Sequence, residues 1–364
     1  MFIEIERDVL HDGLSKSVPI TEKKSTLPIL SHVLFNAEDS TLQLNATDLS
    51  VGLKLVHSCT VKEGGMLAIP GKKVFEIIRE LPSGPVSMQS SANGRIKIIA
   101  GKSEFELAGM DAADYPAFAG LEGIETAGIQ AEKLLYMIDK TLFASSNDES
   151  RFNLNGVLFE QYQQVIRLVA TDGHRLALID EDLGISVPSK VLVPKRGLLE
   201  LKRMLENVKG NVELGFEQKN MCIKDEHFVM TLRLIDGDYP DYRKVIPESG
   251  ENILKSDRTR LLYALKRVAI LTSDRNKGVD VIINSGKIEI TAVHPDLGTA
   301  KDELDVEYEG EPFSLLINVG YFIDSLNAVD TEKISLEFHQ EGSPIVIRPE
   351  PTKHYFNLVM PMRR

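Results

Sequence analysis

The sequence predicts an α+β fold made of three copies of one unit of about 124 residues, and three observations lead there. An apolar strand that ends in a breaker and runs into an amphipathic helix occurs as LAIPGKKVFEIIRELP (67–82), VLVPKRGLLELKRMLE (191–206) and LLINVGYFIDSLNAV (315–329), with Pro70, Pro194 and Asn318 standing 124 residues apart each time. Tyr115 and Tyr239, each followed by proline, are also 124 apart. At 364 residues the chain exceeds what one hydrophobic core normally supports, so three domains of ordinary size fit its length.

Each unit opens on a helix: DVLHDGLSKSV (8–18), AEKLLYMIDKTLFAS (131–145) and RTRLLYALKRVAILTS (258–273). Leu261, Leu265 and Val268 fall at i, i+4, i+7, and Leu198, Leu201 and Leu205 at i, i+3, i+7, so the helices carry apolar stripes that pack on something. Between the helices lie alternating runs, LQLNATDL (42–49), RLVATDGHRL (167–176) and IEITAVHPDL (288–297), which read as strands of period two. The units close on FELAGMDAADYPAF, MTLRLIDGDYPDYRKVIP and the shorter YFNLVMPMR. Small and polar residues place the borders near 121 and 249, giving domains 1–121, 122–249 and 250–364.

Hydrophobic residues make up 43% and charged residues 26%, enough apolar material for several cores. No run approaches a membrane span, and MFIEIERDVL lacks a signal-peptide layout, so a cytoplasmic protein is expected. Cys59 and Cys222 are too few for a disulfide framework, and no Cys/His cluster calls for a metal. The net charge of −12 argues at first against nucleic acid, yet the six helical segments 8–16, 71–80, 132–145, 195–206, 258–273 and 318–330 together carry +4 and the remainder −16. Helix 258–273 is the most basic, with Arg258, Arg260, Lys266 and Arg267 and no acid, whereas 318–330 is acidic. Such segregation suits helices turned towards phosphates and strands turned towards solvent. Units joined head to tail either close or form filaments, and three per chain predict closure by a second identical chain.

An enzyme would have to start from Asp172 and His174 with Ser145 or Ser146. No GxSxG, GxxxxGK[ST] or HExxH motif is present, and an Asp and a His in a strand make a poor relay. No cofactor is expected. A scaffold that binds no DNA would also suit the acidic surface.

TLPIL (26–30), LNATDL, FNLNGVLFE (152–160), VATDGHRLA (169–177), VLVPKRG (191–197), DGDYPDYRKVIP (236–247) and VMPMR (359–363) together make the whole chain resemble the beta subunit of bacterial DNA polymerase III, the replicative sliding clamp. The resemblance implies three DNA-clamp domains, each with two helices inside and antiparallel sheets outside, and a head-to-tail homodimer ring. It implies a non-enzymatic processivity subunit that encircles double-stranded DNA. Its implied partners are the replicative polymerase catalytic subunit, the clamp loader, and other polymerases and repair proteins.

Position by position, the implied partner-peptide pocket comprises Arg151, Leu154, Thr171, Gly173, His174, Arg175 and Leu176 from the middle domain. Pro240, Lys244 and Val245 follow, then Leu358, Met360, Pro361, Met362 and Arg363. Met360 and Met362 suit a wall that receives different peptides, and Lys244 stands where the family often has arginine. The implied DNA contacts are Lys24, Lys72, Asn147, Phe152, Lys195 and Arg196. At the ring-closing contact, Phe105 and Leu107 would meet Ile270 and Leu271. Glu104 stands where a basic residue is usual and Lys301 lies in the opposing segment, so a partly reversed pairing is expected: Glu104 with Lys301, and Arg95 or Lys102 with Asp302 or Glu303.

Overall fold

The computed structural model describes residues 1–21, 26–117, 124–188, 190–217, 219–248, 252–273, 277–339, 342–351 and 354–363. The implied DNA residue Lys24 and the expected borders at 121 and 249 lie outside them. Among the described residues the α-helices are α1 (Arg7–Ser17), α2 (Gly71–Glu80), α3 (Ala131–Thr141), α4 (Lys195–Leu205), α5 (Arg258–Ala269) and α6 (Val319–Ala328). Pro70, Pro194 and Asn318 each end a strand directly before a helix. The Asn318 side chain also accepts hydrogen bonds from the Gly320 and Tyr321 amides, capping α6. Two helices stop earlier than expected: α3 tightens into a 3-10 turn over Leu142–Ala144, and α5 ends at Ala269.

Two compact units emerge, Met1–Glu132 with Arg196–Leu234, and Lys133–Lys195 with Ile235–Arg364. The first holds two antiparallel sheets. One has five strands, in the order Thr60–Glu63, Phe2–Glu6, Pro85–Ser90, Arg95–Ala100 and Ser103–Ala108. The other has eight, with Phe228–Arg233 beside Val51–Ser58 at its middle. α1 packs on α2 and on the Thr41–Thr47 and Val51–Ser58 strands, burying Leu10 and Leu14 completely. Burial of this kind contributes about 2 kcal/mol per leucine.

The second unit repeats the plan. Its eight-stranded sheet sets Arg175–Glu181 beside Tyr355–Val359, and a four-stranded sheet ends on Gly298–Asp305. α5 packs on α6 and on the Gly298–Asp305 and Lys287–His294 strands, through Leu261, Leu265 and Val268.

The repeat extends to single hydrogen bonds. The Tyr115 hydroxyl donates to the Asn45 carbonyl at 3.1 Å and the Tyr239 hydroxyl to the Val169 carbonyl at 3.4 Å, acceptors again 124 residues apart. Burial pushes the Tyr115 phenol up to about 12 and raises Tyr239 as well, so both remain hydroxyl donors at neutral pH.

Each repeat's last strand is followed by a residue that bonds to the strand before the second helix: Met110 to Ala68, Ile235 to Leu192, and Met362 to Leu316. Ser103–Ala108, Phe228–Arg233 and Tyr355–Val359 are therefore the corresponding last strands. By the same hairpin logic Val51–Ser58, Arg175–Glu181 and Gly298–Asp305 are corresponding third strands, each antiparallel to the strand before it. Last strand meets third strand twice within the chain, and in one register. Arg233 N donates to Ser50 O and Met360 N to His174 O, both at 2.8 Å, while Met230 stands opposite Leu53 and Asn357 opposite Ala177. The remaining pair, Ser103–Ala108 and Gly298–Asp305, forms the outer edges of the five- and four-stranded sheets.

Candidate functional site

The second of these internal junctions opens into a cleft of about 140 Å³. Sheet residues Thr171, Leu176 and Leu358 form its floor, with Leu154 on one side and Pro240, Tyr242 and Val245 on the other. Leu176 and Leu358 are paired directly across the two strands and are 2% exposed, so the floor is fixed by the sheet. Gly173, His174, Arg175 and Met360 complete the rim. Gly173 has φ +88°, where a side chain would be strained, and it turns the chain so that His174 reaches the rim.

A wider, open recess of about 450 Å³ shares Gly173, His174 and Met360 and adds Asn318, Tyr321, Pro361, Met362 and Arg363. His174 stacks on Tyr321 at 6.1 Å between centroids, and the Arg175 guanidinium lies 4.8 Å from the same ring. Arg175 is held on every side: Nε to Asp172, Nη1 to Asp324 and Nη2 to the Phe143 carbonyl. With its charge so occupied, Arg175 serves as a rigid strut of the wall. Burial, with Asp172 nearby, raises the Tyr321 phenol.

The structure brings together most of the expected pocket residues and leaves two apart. Arg151 donates from Nη1 to the Asp172 carbonyl behind the turn, and Lys244 is 81% exposed beside Asp241. Neither lines the cleft or the recess. Asp241, Tyr242, Asn318 and Tyr321 line them and were missed. Asn318 was visible only as a helix breaker, and the aromatics depend on long-range packing that spacing does not encode. Asp172 and His174, expected within a strand, lie instead in the turn between two strands. Asp172 Oδ1 accepts from the His174 and Arg175 amides, and Oδ2 takes Arg175 Nε.

The implied DNA-contact residues differ in freedom. Lys72 is 78% exposed, and Phe152 is exposed in the 3-10 segment Glu149–Leu154. Arg196 lies 2.8 Å from Asp48 Oδ2, whose side chain is almost fully buried. Lys195 donates to the Ser145 carbonyl and to Asn147 Oδ1 at 2.8 Å. Burial, reinforced by the charge of Arg175, lowers its pKa. Two of the four cations on α5 are also engaged: Arg258 bonds the Leu326 and Thr331 carbonyls, and Arg267 Nε the Asp302 carboxylate at 2.6 Å.

At the sheet edges, Phe105 and Ile270 are exposed, Ile270 by 76%. The charges around them are paired within the chain: Glu104 with Lys97, Arg95 with Glu106, Lys301 with Glu289, and Glu303 with Lys287.

The fold and cleft define a protein of three α+β repeats that share sheets across their borders, with a groove where one such sheet is joined. The chain belongs to the DNA polymerase III beta subunit family. The family's N-terminal, central and C-terminal domain models match residues 1–119, 128–241 and 243–363. The beta sliding clamps of Pseudomonas putida and Escherichia coli K12 are each 32% identical over the full length of both chains. The crystal structure of DNA polymerase III subunit beta from Pseudomonas aeruginosa superimposes with a TM-score of 0.93 at 32% identity, covering both chains entirely. That of a Bartonella birtlesii sliding clamp bound to griselimycin does so with 0.94 at 29%, again over both chains.

Proposed function

We propose that two copies of this chain, each with domains 1–121, 122–249 and 250–364, close head to tail into a ring that encircles duplex DNA. The ring slides and has no catalytic chemistry of its own. It lends processivity to the replicative polymerase and receives peptide segments of polymerases, clamp loader and repair proteins in the groove built on Leu176 and Leu358. Griselimycin, seen bound to a related clamp, is expected in the same groove.

One observation carries the ring. Last and third strands pair twice in a single register, and the one pair left over forms the two outer sheet edges. Applying that register to the unpaired edges sets Phe105 of one copy opposite Ala300 of the other, Leu107 opposite Gly298, and Glu104 opposite Lys301. The paired charges already present then join into an alternating row, Lys97, Glu104, Lys301, Glu289, running through the interface. Asp302, bonded to Arg267, takes a place opposite Ser103, and Lys102 takes one opposite Glu303. Arg95 lies one strand back and keeps Glu106.

Lys72, Lys195, Arg196, Asn147 and Phe152, with Lys24, would face the duplex. Lysine at 24 and 72 supplies charge without a fork, which suits contacts that read no sequence. A cytoplasmic setting follows from the replication role. The test is retention on a closed circular plasmid after loading. A ring stays in high salt until the circle is cut, whereas rapid loss from the intact circle in salt contradicts encirclement.

A further inference from the structure

On the same face of the eight-stranded sheet as the cleft floor, four charged residues stand directly opposite one another on four adjacent strands. Lys190 pairs with Glu160, Glu160 with Arg167, and Arg167 with Asp180. Arg167 makes a two-pronged bond to Asp180, both contacts at 2.7 Å, with its guanidinium 3.5 Å from the Tyr162 ring centroid. The Glu160 side chain is only 4% exposed. Burial alone would raise its carboxyl, but the Tyr242 hydroxyl and Arg243 guanidinium bonded to it outweigh that and hold it below the ordinary value. Both bonds are 2.5 Å long, Lys190 Nζ stands 3.7 Å away, and Arg167 also donates to the Tyr242 oxygen at 3.4 Å.

The repeats supply an internal control. At the corresponding cross-strand positions the first repeat has Met66, Asn36, Gln43 and Val56, and the last has Ser314, Ile282, Glu289 and Glu303. The same strands thus pair without a buried carboxylate at the Glu160 position, so the fold does not require one. Only the middle repeat has the row, and above it lies the segment that forms one wall of the cleft. That wall belongs to no strand. Its local bonds run from the Tyr242 amide to Pro240 and from the Lys244 amide to Asp241. It is pinned to the 3-10 segment by Asn153 at Asp238, and to the sheet by Tyr239 at Val169 and by Glu160 at Tyr242 and Arg243.

We propose that the charged row is a positioning device for the groove: Glu160, with Lys190 beside it and Arg167 donating to the same Tyr242 oxygen, holds Tyr242 and Arg243 so that the 240–245 wall is preformed for a bound peptide. This rests on the groove being the peptide site. A wall held in its bound conformation spares the ligand the cost of ordering it.

Two variants remove the bond from opposite ends while preserving shape, Glu160→Gln and Tyr242→Phe. Amide hydrogen exchange over 240–246 and the Kd for griselimycin are measured on wild type, both singles and the double, with the melting temperature alongside. Each single is expected to speed exchange in that segment and to weaken griselimycin about tenfold, with the double no weaker than the worse single, because both substitutions break one shared bond. A lower melting temperature with unchanged segment exchange and Kd would overturn the proposal, as would losses that simply add. If wild type fails to bind griselimycin, the peptide-site reading fails, and hydrogen exchange alone still decides whether Glu160 anchors the wall.

Discussion

The two internal strand junctions share a register and differ in what they hold. Where Phe228–Arg233 meets Val51–Ser58, the pair on the floor is Thr231 opposite Gly52, with Val51 and Arg233 beyond. Where Tyr355–Val359 meets Arg175–Glu181, the corresponding residues are Leu358, Leu176, Arg175 and Met360. One register thus places two leucines opposite each other at one junction and a threonine opposite a glycine at the other. The fold supplies a junction, and side chains decide whether it receives a ligand.

The largest effect is expected from making the second junction resemble the first. Met360→Arg puts the Arg233 side chain at the rim shared by cleft and recess. It should weaken griselimycin roughly a hundredfold or more by calorimetry, since one charge replaces an apolar contact that serves both cleft and recess, while the particle mass stays that of the wild type. Unchanged affinity would remove the groove from the account.

A smaller effect is expected at the third junction, between copies. Glu104→Lys sets like charges opposite each other at both interfaces of the ring, and cross-strand pairs are worth about 0.2–1 kcal/mol each. The dimer dissociation constant should rise by about tenfold at low salt, less at high salt, and return towards wild type when Lys301→Glu is added. Equal dissociation for wild type and Glu104→Lys at low salt would show that this pair does not face across the interface.

Much of this was legible in the sequence because the signals were local and repeated. The three breaker positions mark three helix starts, and the alternating apolar residues of 42–49 and 167–176 mark buried faces of paired strands. What escaped depends on distant partners. Charge counting gave α5 four cations free to meet phosphate, yet Arg258 caps backbone carbonyls and Arg267 is spent on Asp302. Tyr242 and Tyr321 line the groove because a buried Glu160 and a stacked His174 hold them, contacts spanning 82 and 147 residues. The sharing of sheets between repeats was also hidden, since spacing shows that strands recur and not which neighbour completes each sheet.

The claim that the third junction repeats the first two can be tested by disulfide trapping, in a background with Cys59→Ser. Ser103→Cys with Asp302→Cys places thiols directly opposite in the inherited register, with Cβ atoms about 4.5–5.5 Å apart, whereas Ser103→Cys with Ala300→Cys sets them two residues out, about 7 Å or more. Mild oxidation should give a covalent dimer on a denaturing gel from the first pair and leave the second monomeric. Equal yields from both, or a dimer from the shifted pair alone, would contradict the shared register and with it this account of how the ring closes.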